Sequence, residues 1–553
     1  MRVFFISLLL STLIISCRQE SKYADKIYMN AVIWTGEEGD QQYSAIGIKD
    51  SLILFLGNEY QEYAGPETEI TDLKGQMIIP GFIDNHTHFL SGGFQLASVN
   101  LRSAVTKQAF IDSIKNFAAN LPEGRWILGG DWDHEAWGGE LPDRSWIDSI
   151  TPNIPVWVNR YDGHMALANT AALQLAGINE NTRAPAGGEI ERRKGSRVPT
   201  GLLRDEAMNM VSRKIPVETD EQMDENLHRA VQEALRTGVT QIHDMGSYGG
   251  WTDLATYKRA HANNKLGIRV YAFMPLRTWA KLDSLIKAEG RGDNKLFWGG
   301  LKGFVDGSLG STTAWFYQPY LDAPQTSGLI VTDTAVLRSR INSADSAGLH
   351  LGIHAIGDQA NDWLLNVFAY RLENAENKDK RFRIEHAQHL SESALEKFHQ
   401  LGVIPSMQPY HAIDDGKWAA KRLEDDRLQR TYAFKSLLDK KAGLTFGSDW
   451  TVAPLSPILG IYAAVTRRTL DDQNPQGWYP QQKITVEEAL KAYTVNNAFA
   501  GFMENKTGKL KPGFLADLTI LDRNLLEIDP EEIKDVKVTT TVVNGKEEYS
   551  TRN

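Results

Sequence analysis

Eight short β-like segments recur along this 553-residue chain, separated by stretches of helical character. In order they read MIIPGFIDNHTH, VTQIHDMG, IRVYAFMP, GGLKGFVDGS, LHLGIHAIGD, FRIEHAQH, GVIPSMQP and LTFGSDW. Alternation of short apolar strands with helices over such a length argues for parallel α/β architecture, because parallel strands need a crossover between them. The spacing is more specific. From His243 to Lys302 is 59 residues, from His354 to His386 is 32, and from His386 to Asp449 is 63. Those steps match two, one and two units of a (β/α)8 barrel, which uses roughly 30 residues per unit. The step from His88 to His243 is 155 residues where one unit is expected. Roughly 120 residues, about 100–216, are therefore read as an insertion over the barrel mouth.

Five of the eight segments end on a metal-capable side chain: His86 and His88, His243, His354, His386 and Asp449. A sixth carries Lys302. The carboxyl-terminal rim of a barrel is where active-site residues converge, and imidazole and carboxylate are ligands suited to zinc. One histidine on an apolar strand is more often a packed core residue than a ligand. An ordered series is harder to explain that way. Within it, His86 and His88 are the strongest pair, because side chains at i and i+2 of a strand share a face.

The segments KIYMNAVIWTG, SAIGIKDSLILFLG and TEITDLKGQMIIPG, over residues 26–80, show strand and turn signals without helical periodicity. GKLKPGFLADLTILDRN and KVTTTVVNGKEEY, within 501–553, have the same texture. The two ends are expected to pair into one small β-sandwich domain beside the 81–500 barrel. The first 16 residues combine Arg2, an apolar run from Val3 to Ile15 and a small residue before Cys17. That run is too short to span a bilayer comfortably and reads as a secretion signal. Ile14-Ile15-Ser16-Cys17 resembles the lipobox of bacterial lipoproteins, which would make Cys17 the lipidated first mature residue and 17–25 a tether. An uncleaved anchor helix is the alternative. The expected location is the cell envelope, on a lipid anchor.

Composition narrows the chemistry. With 60 Lys and Arg against 70 Asp and Glu, the chain carries no cationic surplus for nucleic acid. One cysteine allows neither an intramolecular disulfide nor a thiolate metal cluster. GSLGS at 307–311 is not a nucleophile elbow, which disfavours a serine hydrolase.

Taken in order, GFIDNHTH, LKGFVDGS, GIHAIGD, IEHAQH and FGSDW resemble the amidohydrolase superfamily, and more narrowly its amidohydrolase 3, YtcJ-like branch. ILGGDWDHEAW, RYDGHMALANTAAL and PTGLLRDEA in the insertion, and GKLKPGFLADLTILD with VVNGK near the end, support the likeness over the whole mature chain. The resemblance implies a TIM-like barrel holding one or two divalent metal ions, zinc being the expected one. Its ligands would be His86, His88, Lys302, His354, His386 and Asp449, with Lys302 carboxylated by carbon dioxide to a carbamate. A plain Lys302 paired with Asp306 is the alternative. Two such ions would retain excess positive charge, lower the pKa of a bound water and polarise a carbonyl. Asp449 would be ligand and catalytic base.

Substrate contacts are expected from His134, His164, Arg204, Asp306 and Gln408, with Tyr161 and Trp450 as apolar walls; His243 is read as supporting or substrate-side. Trp132, Trp137 and Trp146 are read as core of the insertion. The implied activity is hydrolysis of carbon–nitrogen bonds other than peptide bonds, in an amide, formamide or cyclic amide. A deaminase or phosphoesterase of the same superfamily, and a non-catalytic binding lipoprotein, are the competing readings. A small-molecule substrate, a membrane met through the anchor and, as an option left open, a homodimer are the expected partners.

Overall fold

The computed structural model describes residues 22–39, 42–161, 164–247, 250–373 and 375–552. Cys17 and the apolar leader lie outside the described residues.

Eight parallel strands make the central sheet: β1 (Phe82–Thr87), β2 (Val239–Asp244), β3 (Arg269–Pro275), β4 (Leu296–Phe304), β5 (His350–Ala355), β6 (Arg383–His386), β7 (Ile404–Met407) and β8 (Thr445–Phe446). Each pairs with its sequence neighbour, as right-handed crossovers through helices require. Beyond β8 the ring is laced to β1 by a parallel bridge between Thr87 and Trp450. Asp449 N–H donates to His86 O at 2.7 Å, and His88 N–H donates to Trp450 O at 2.7 Å. The strands are buried along nearly their whole length, with helices packed outside.

The segment read from the sequence as one strand, Met77 to His88, is two. Met77–Pro80 pairs antiparallel with Leu518–Leu521, and the barrel strand starts after Gly81. A Cβ on Gly81 would lie 2.3 Å from the Thr240 side chain, so only glycine lets the chain pass from one sheet to the other. Met77–Pro80 and Leu518–Leu521 belong to a five-stranded sheet that also contains Val32–Ile33, Val538–Val543 and Lys546–Ser550. A four-stranded sheet is built from Lys26–Met29, Ala45–Lys49, Leu52–Gly57 and Glu69–Asp72. Tyr28, Ile46 and Ile48 of the second share one apolar cluster with Ile78, Leu518 and Val542 of the first. Arg269, on β3, ties this assembly to the barrel by donating two buried hydrogen bonds to Asp517, at 2.6 and 2.9 Å.

Between β1 and β2 the chain forms α1 (Phe89–Leu96), a separate six-stranded sheet, and α2 (Asp220–Arg236). The sheet runs Gly188–Arg192, Pro199–Asp205, Met165–Ala168, Trp157–Arg160, Gly129–Trp132 and Val99–Asn100. Phe110, Trp132, Trp137 and Trp146 pack as one aromatic group beside it, with the Trp132 N–H donated to Val158 O. α2 returns the chain to the barrel. It starts on a reciprocal cap between Thr219 and Gln222 and buries Leu227, Val231 and Leu235 at helical spacing.

Candidate metal centre

The polar residues at the strand ends converge. One donor atom from each of His86, His386 and Asp449 lies within 4.8 Å of the others, and all three residues are buried. Asp449 Oδ1 is 3.5 Å from His86 Nε2 and 3.3 Å from His88 Nε2. Lys302 Nζ is 3.0 Å from His86 Nε2, and the His354 and His386 rings lie 4.5 Å apart by centroids.

Hydrogen bonds fix which ring nitrogen is protonated. His86 Nδ1–H donates to Glu385 Oε2 at 2.7 Å, His88 Nδ1–H to the Gly246 carbonyl at 2.7 Å, and His386 Nδ1–H to Gln408 Oε1 at 2.8 Å. Each leaves Nε2 with its lone pair. His354 is reversed: its Nε2–H donates to Gly307 O at 2.9 Å, which leaves Nδ1. Four imidazoles, each oriented by an acceptor behind it that leaves one nitrogen facing the cluster, are what metal ligation by histidine demands.

Backbone conformation helps aim them. His386 and Asp449 have φ of 74° and 57°, in the left-handed region that side-chain-bearing residues seldom occupy. Gly447 has no room for a side chain, since a Cβ there would lie 2.6 Å from both His86 N and Asn85 Oδ1. Asp84, beneath, accepts from His86 N–H and Ser448 N–H and so clamps the ends of β1 and β8 together. Burial pushes its pKa up to about 7.

The electrostatics favour neutral imidazoles at His86, His354 and His386 and an ionised aspartate. Burial, helped by Lys302, pulls His86 down to about 4 and His354 to about 3. Burial and the neighbouring His354 and His86 rings put His386 well below the usual range. At His88 burial is outweighed by Asp449, and the pKa rises. Burial would raise Asp449 as well, but His86, His88 and His386 hold it far below the ordinary carboxylate value. Burial lowers the Lys302 amine to about 8, against the pull of Glu385 and Asp449.

Several expected contacts have other roles. Asp306 lies 3.6 Å from His354 Nε2 rather than against Lys302, and its oxygens accept the backbone N–H groups of Trp315, Ile356 and Gly357, a bond set that organises the loops after β4 and β5. Gln408 is spent on His386. His243 sits inside the barrel, 2.9 Å from Arg383 Nη1. His134, His164 and Arg204 lie in the insertion and meet its own acids, Glu135, Asp205 and Glu191. None of them lines the cavity beside Lys302. Tyr161 is half exposed in the same insertion, and Trp450 packs edge-on to Phe89.

Sequence reading missed Glu385. It is fully buried and joins His86 to a guanidinium: Arg383 Nη2 donates to its Oε2 at 3.0 Å and Arg383 Nε lies 2.9 Å from its Oε1. Burial alone would raise its pKa, but Arg383 and His86 hold it well below the carboxylate range.

Two cavities matter here. One of about 120 Å³ opens beside His88 and Lys302. A larger one, about 540 Å³, lies at the opposite, amino-terminal end of the barrel against Tyr271, His350 and Phe502, and contains none of the donor residues.

A buried cluster of oriented imidazoles and a carboxylate at the carboxyl end of a parallel barrel defines the class of metal-site barrel proteins. The chain belongs to the amidohydrolase family, whose model matches residues 69–549. It is 40% identical to the Protein LONG AFTER FAR-RED 3 of Arabidopsis thaliana, over 95% of this chain and 92% of that one. It is 32% identical to the putative amidohydrolase YtcJ of Bacillus subtilis, over 94% and 99%. An N-substituted formamide deformylase of Arthrobacter pascens is 27% identical, over 95% and 98%. Among solved structures, an uncharacterized metal-dependent hydrolase from Pyrococcus horikoshii superposes with a TM-score of 0.75 at 30% identity, covering 92% of this chain and 99% of that one.

Proposed function

We propose that the protein is a metal-dependent hydrolase of carbon–nitrogen bonds other than peptide bonds, acting on an amide, formamide or cyclic amide. The observation that carries this reading is the convergence of His86, His386 and Asp449 donor atoms within 4.8 Å, with each histidine's other nitrogen already committed to an acceptor. The donor set fits a divalent ion such as zinc, since imidazole nitrogen and carboxylate oxygen are its usual ligands. His86, His88, His354, His386 and Asp449 would hold one or two such ions. When bound, the metal supplies Lewis acidity toward a carbonyl oxygen and lowers the pKa of a nearby water.

The chain's own groups do the rest. Asp449, ionised because three imidazoles surround it, accepts the proton of the attacking water at a carboxylate oxygen and returns it to the leaving nitrogen. Lys302, with its amine lowered to about 8, has a neutral fraction able to attack carbon dioxide at neutral pH. That step forms one N–C bond and releases one proton, converting a cation that would repel the metal into an anionic ligand. Similarity to the formamide deformylase supports the choice of C–N substrates. The test is hydrolysis of a panel of formamides, amides and cyclic amides by the zinc-loaded protein. Turnover of at least one class, abolished by chelation, is expected; adenosine or phosphate-ester turnover with every amide inert would contradict it.

The amino terminus supports a second element: removal of 1–16, lipidation of Cys17 and residence in the cell envelope on that anchor. Among the described residues no helix is long and apolar enough to cross a membrane.

A further inference from the structure

The cavity beside the donors carries information about charge. Its inner wall is His88 and Lys302, and Met245, Leu276, Phe304 and Leu337 make it apolar. Its lining also includes Arg277, exposed in the turn after β3, and Arg340, half-buried on α3 (Thr334–Ser346). No lining residue is acidic. Neither guanidinium forms an ion pair or hydrogen bond with another described residue. Elsewhere around the barrel Arg259 meets Asp220 and Asp224, Arg371 meets Asp345, and Arg427 meets Glu424. Arg229 and Arg338 also lack an ion pair with a described residue, so what sets Arg277 and Arg340 apart is that this chain places both on one cavity. At the cavity it supplies two guanidiniums and no acid.

Two cations over a small low-dielectric cavity focus a positive field into it. The guanidinium fork matches a carboxylate with two parallel N–H donors, and Met245, Leu276, Phe304 and Leu337 offer apolar surface to the ligand's carbon skeleton. We infer that the substrate carries a carboxylate on the side remote from the scissile C–N bond, held by Arg277 and Arg340, so that its class is N-acyl or N-formyl amino acids and related acidic amides rather than neutral amides. This rests on the hydrolase reading of the same site and adds the charge of the substrate to it.

The test separates the two. N-formylphenylalanine and N-formyl-2-phenylethylamine differ by one carboxylate. Their binding to the full chain in detergent, stripped of metal so that no ion can capture the carboxylate, is measured by calorimetry at low and high salt. The acid is expected to bind at least about tenfold tighter at low salt, with the preference shrinking at high salt as screening requires. In the double variant Arg277→Gln, Arg340→Gln the ratio is expected to fall below about twofold, and Arg340→Lys, which keeps the charge but loses the fork, to retain part of it. Equal binding of the two compounds, no binding of either, or a preference untouched in the double variant overturns the inference. Hydrolysis by the zinc-loaded protein is read separately. If the acid binds preferentially and neither compound is cleaved, the carboxylate preference stands and the hydrolase reading loses support.

Discussion

Glu385 and His86 lie on barrel strands far apart in the sequence and share a 2.7 Å hydrogen bond in which the buried carboxylate accepts from the ring Nδ1–H. Because Glu385 is itself held by Arg383, the imidazole is fixed as the tautomer whose Nε2 lone pair faces Lys302 and Asp449. Acceptors of this kind behind a ligating histidine set its orientation and basicity. Glu385→Gln is therefore expected to weaken zinc binding about 10- to 100-fold. Competition with a chromophoric chelator measures it. Affinity equal to the parent chain would show that the carboxylate does nothing for the site.

The attachment of the terminal sheets to the barrel depends on Arg269 and Asp517, whose side chains are 1% and 4% exposed. Removing one partner of a buried ion pair leaves the other uncompensated. Asp517→Ala is expected to cost about 3–5 kcal/mol of stability in denaturant unfolding. The same substitution also strips the acceptor from Asn544 N–H, which bonds Asp517 Oδ1 at 2.8 Å. A loss under about 1 kcal/mol would place the pair among weak surface contacts.

His389 gives a pH signature. Burial, with Arg427 nearby, pulls it down to about 3. Its folded pKa is depressed, so below the unfolded value near 6.5 the unfolded chain binds a proton that the folded chain does not. Its contribution is full above pH 6.5 and is lost as pH falls toward 3. At pH 5 the native chain should have lost about 2 kcal/mol through this residue. The stability difference between the native chain and His389→Gln should thus shift by that amount between pH 7.5 and 5. Comparing the two chains at each pH cancels other buried groups, among them Asp84 and Asp306, which burial pushes up to about 7 and which titrate in the opposite sense. A difference independent of pH would mean that His389 takes up a proton in the fold.

If Cys17 carries the anchor, Cys17→Ser should move the protein from the membrane fraction to the soluble fraction of the cell envelope. Retention in the membrane fraction would favour an uncleaved apolar anchor instead.

The barrel strands and the donor residues were legible because six of the eight β-like segments carry a donor-type side chain or Lys302, at steps that beyond the insertion match whole barrel units. Glu385 was hidden by the same alternation that revealed His86 and His88. Neighbours on a regular strand face opposite ways, so Glu385 and His386 read as one inside and one outside. The left-handed backbone at His386 and Ala387, with φ of 74° and 44°, breaks that alternation and lets both reach inward. His88 likewise lies past the end of β1, as the residue before α1, rather than on the strand. Asp306 misled for a different reason: nothing in LKGFVDGS tells that three backbone N–H groups, two of them some fifty residues away, will occupy its oxygens. The residues proposed to read the substrate, Arg277 and Arg340, stand in no motif at all, and only folding brings them to one cavity.

The proposed function requires that Lys302 and the surrounding histidines and aspartate hold metal. Metal content per chain, measured on full-length protein in detergent purified without chelator and on Lys302→Ala prepared alike, tests it most directly. The native chain is expected to hold one or two equivalents of zinc or a similar ion, falling in the variant and not restored by bicarbonate. No bound metal in the native chain, even after incubation with zinc and bicarbonate, would contradict it.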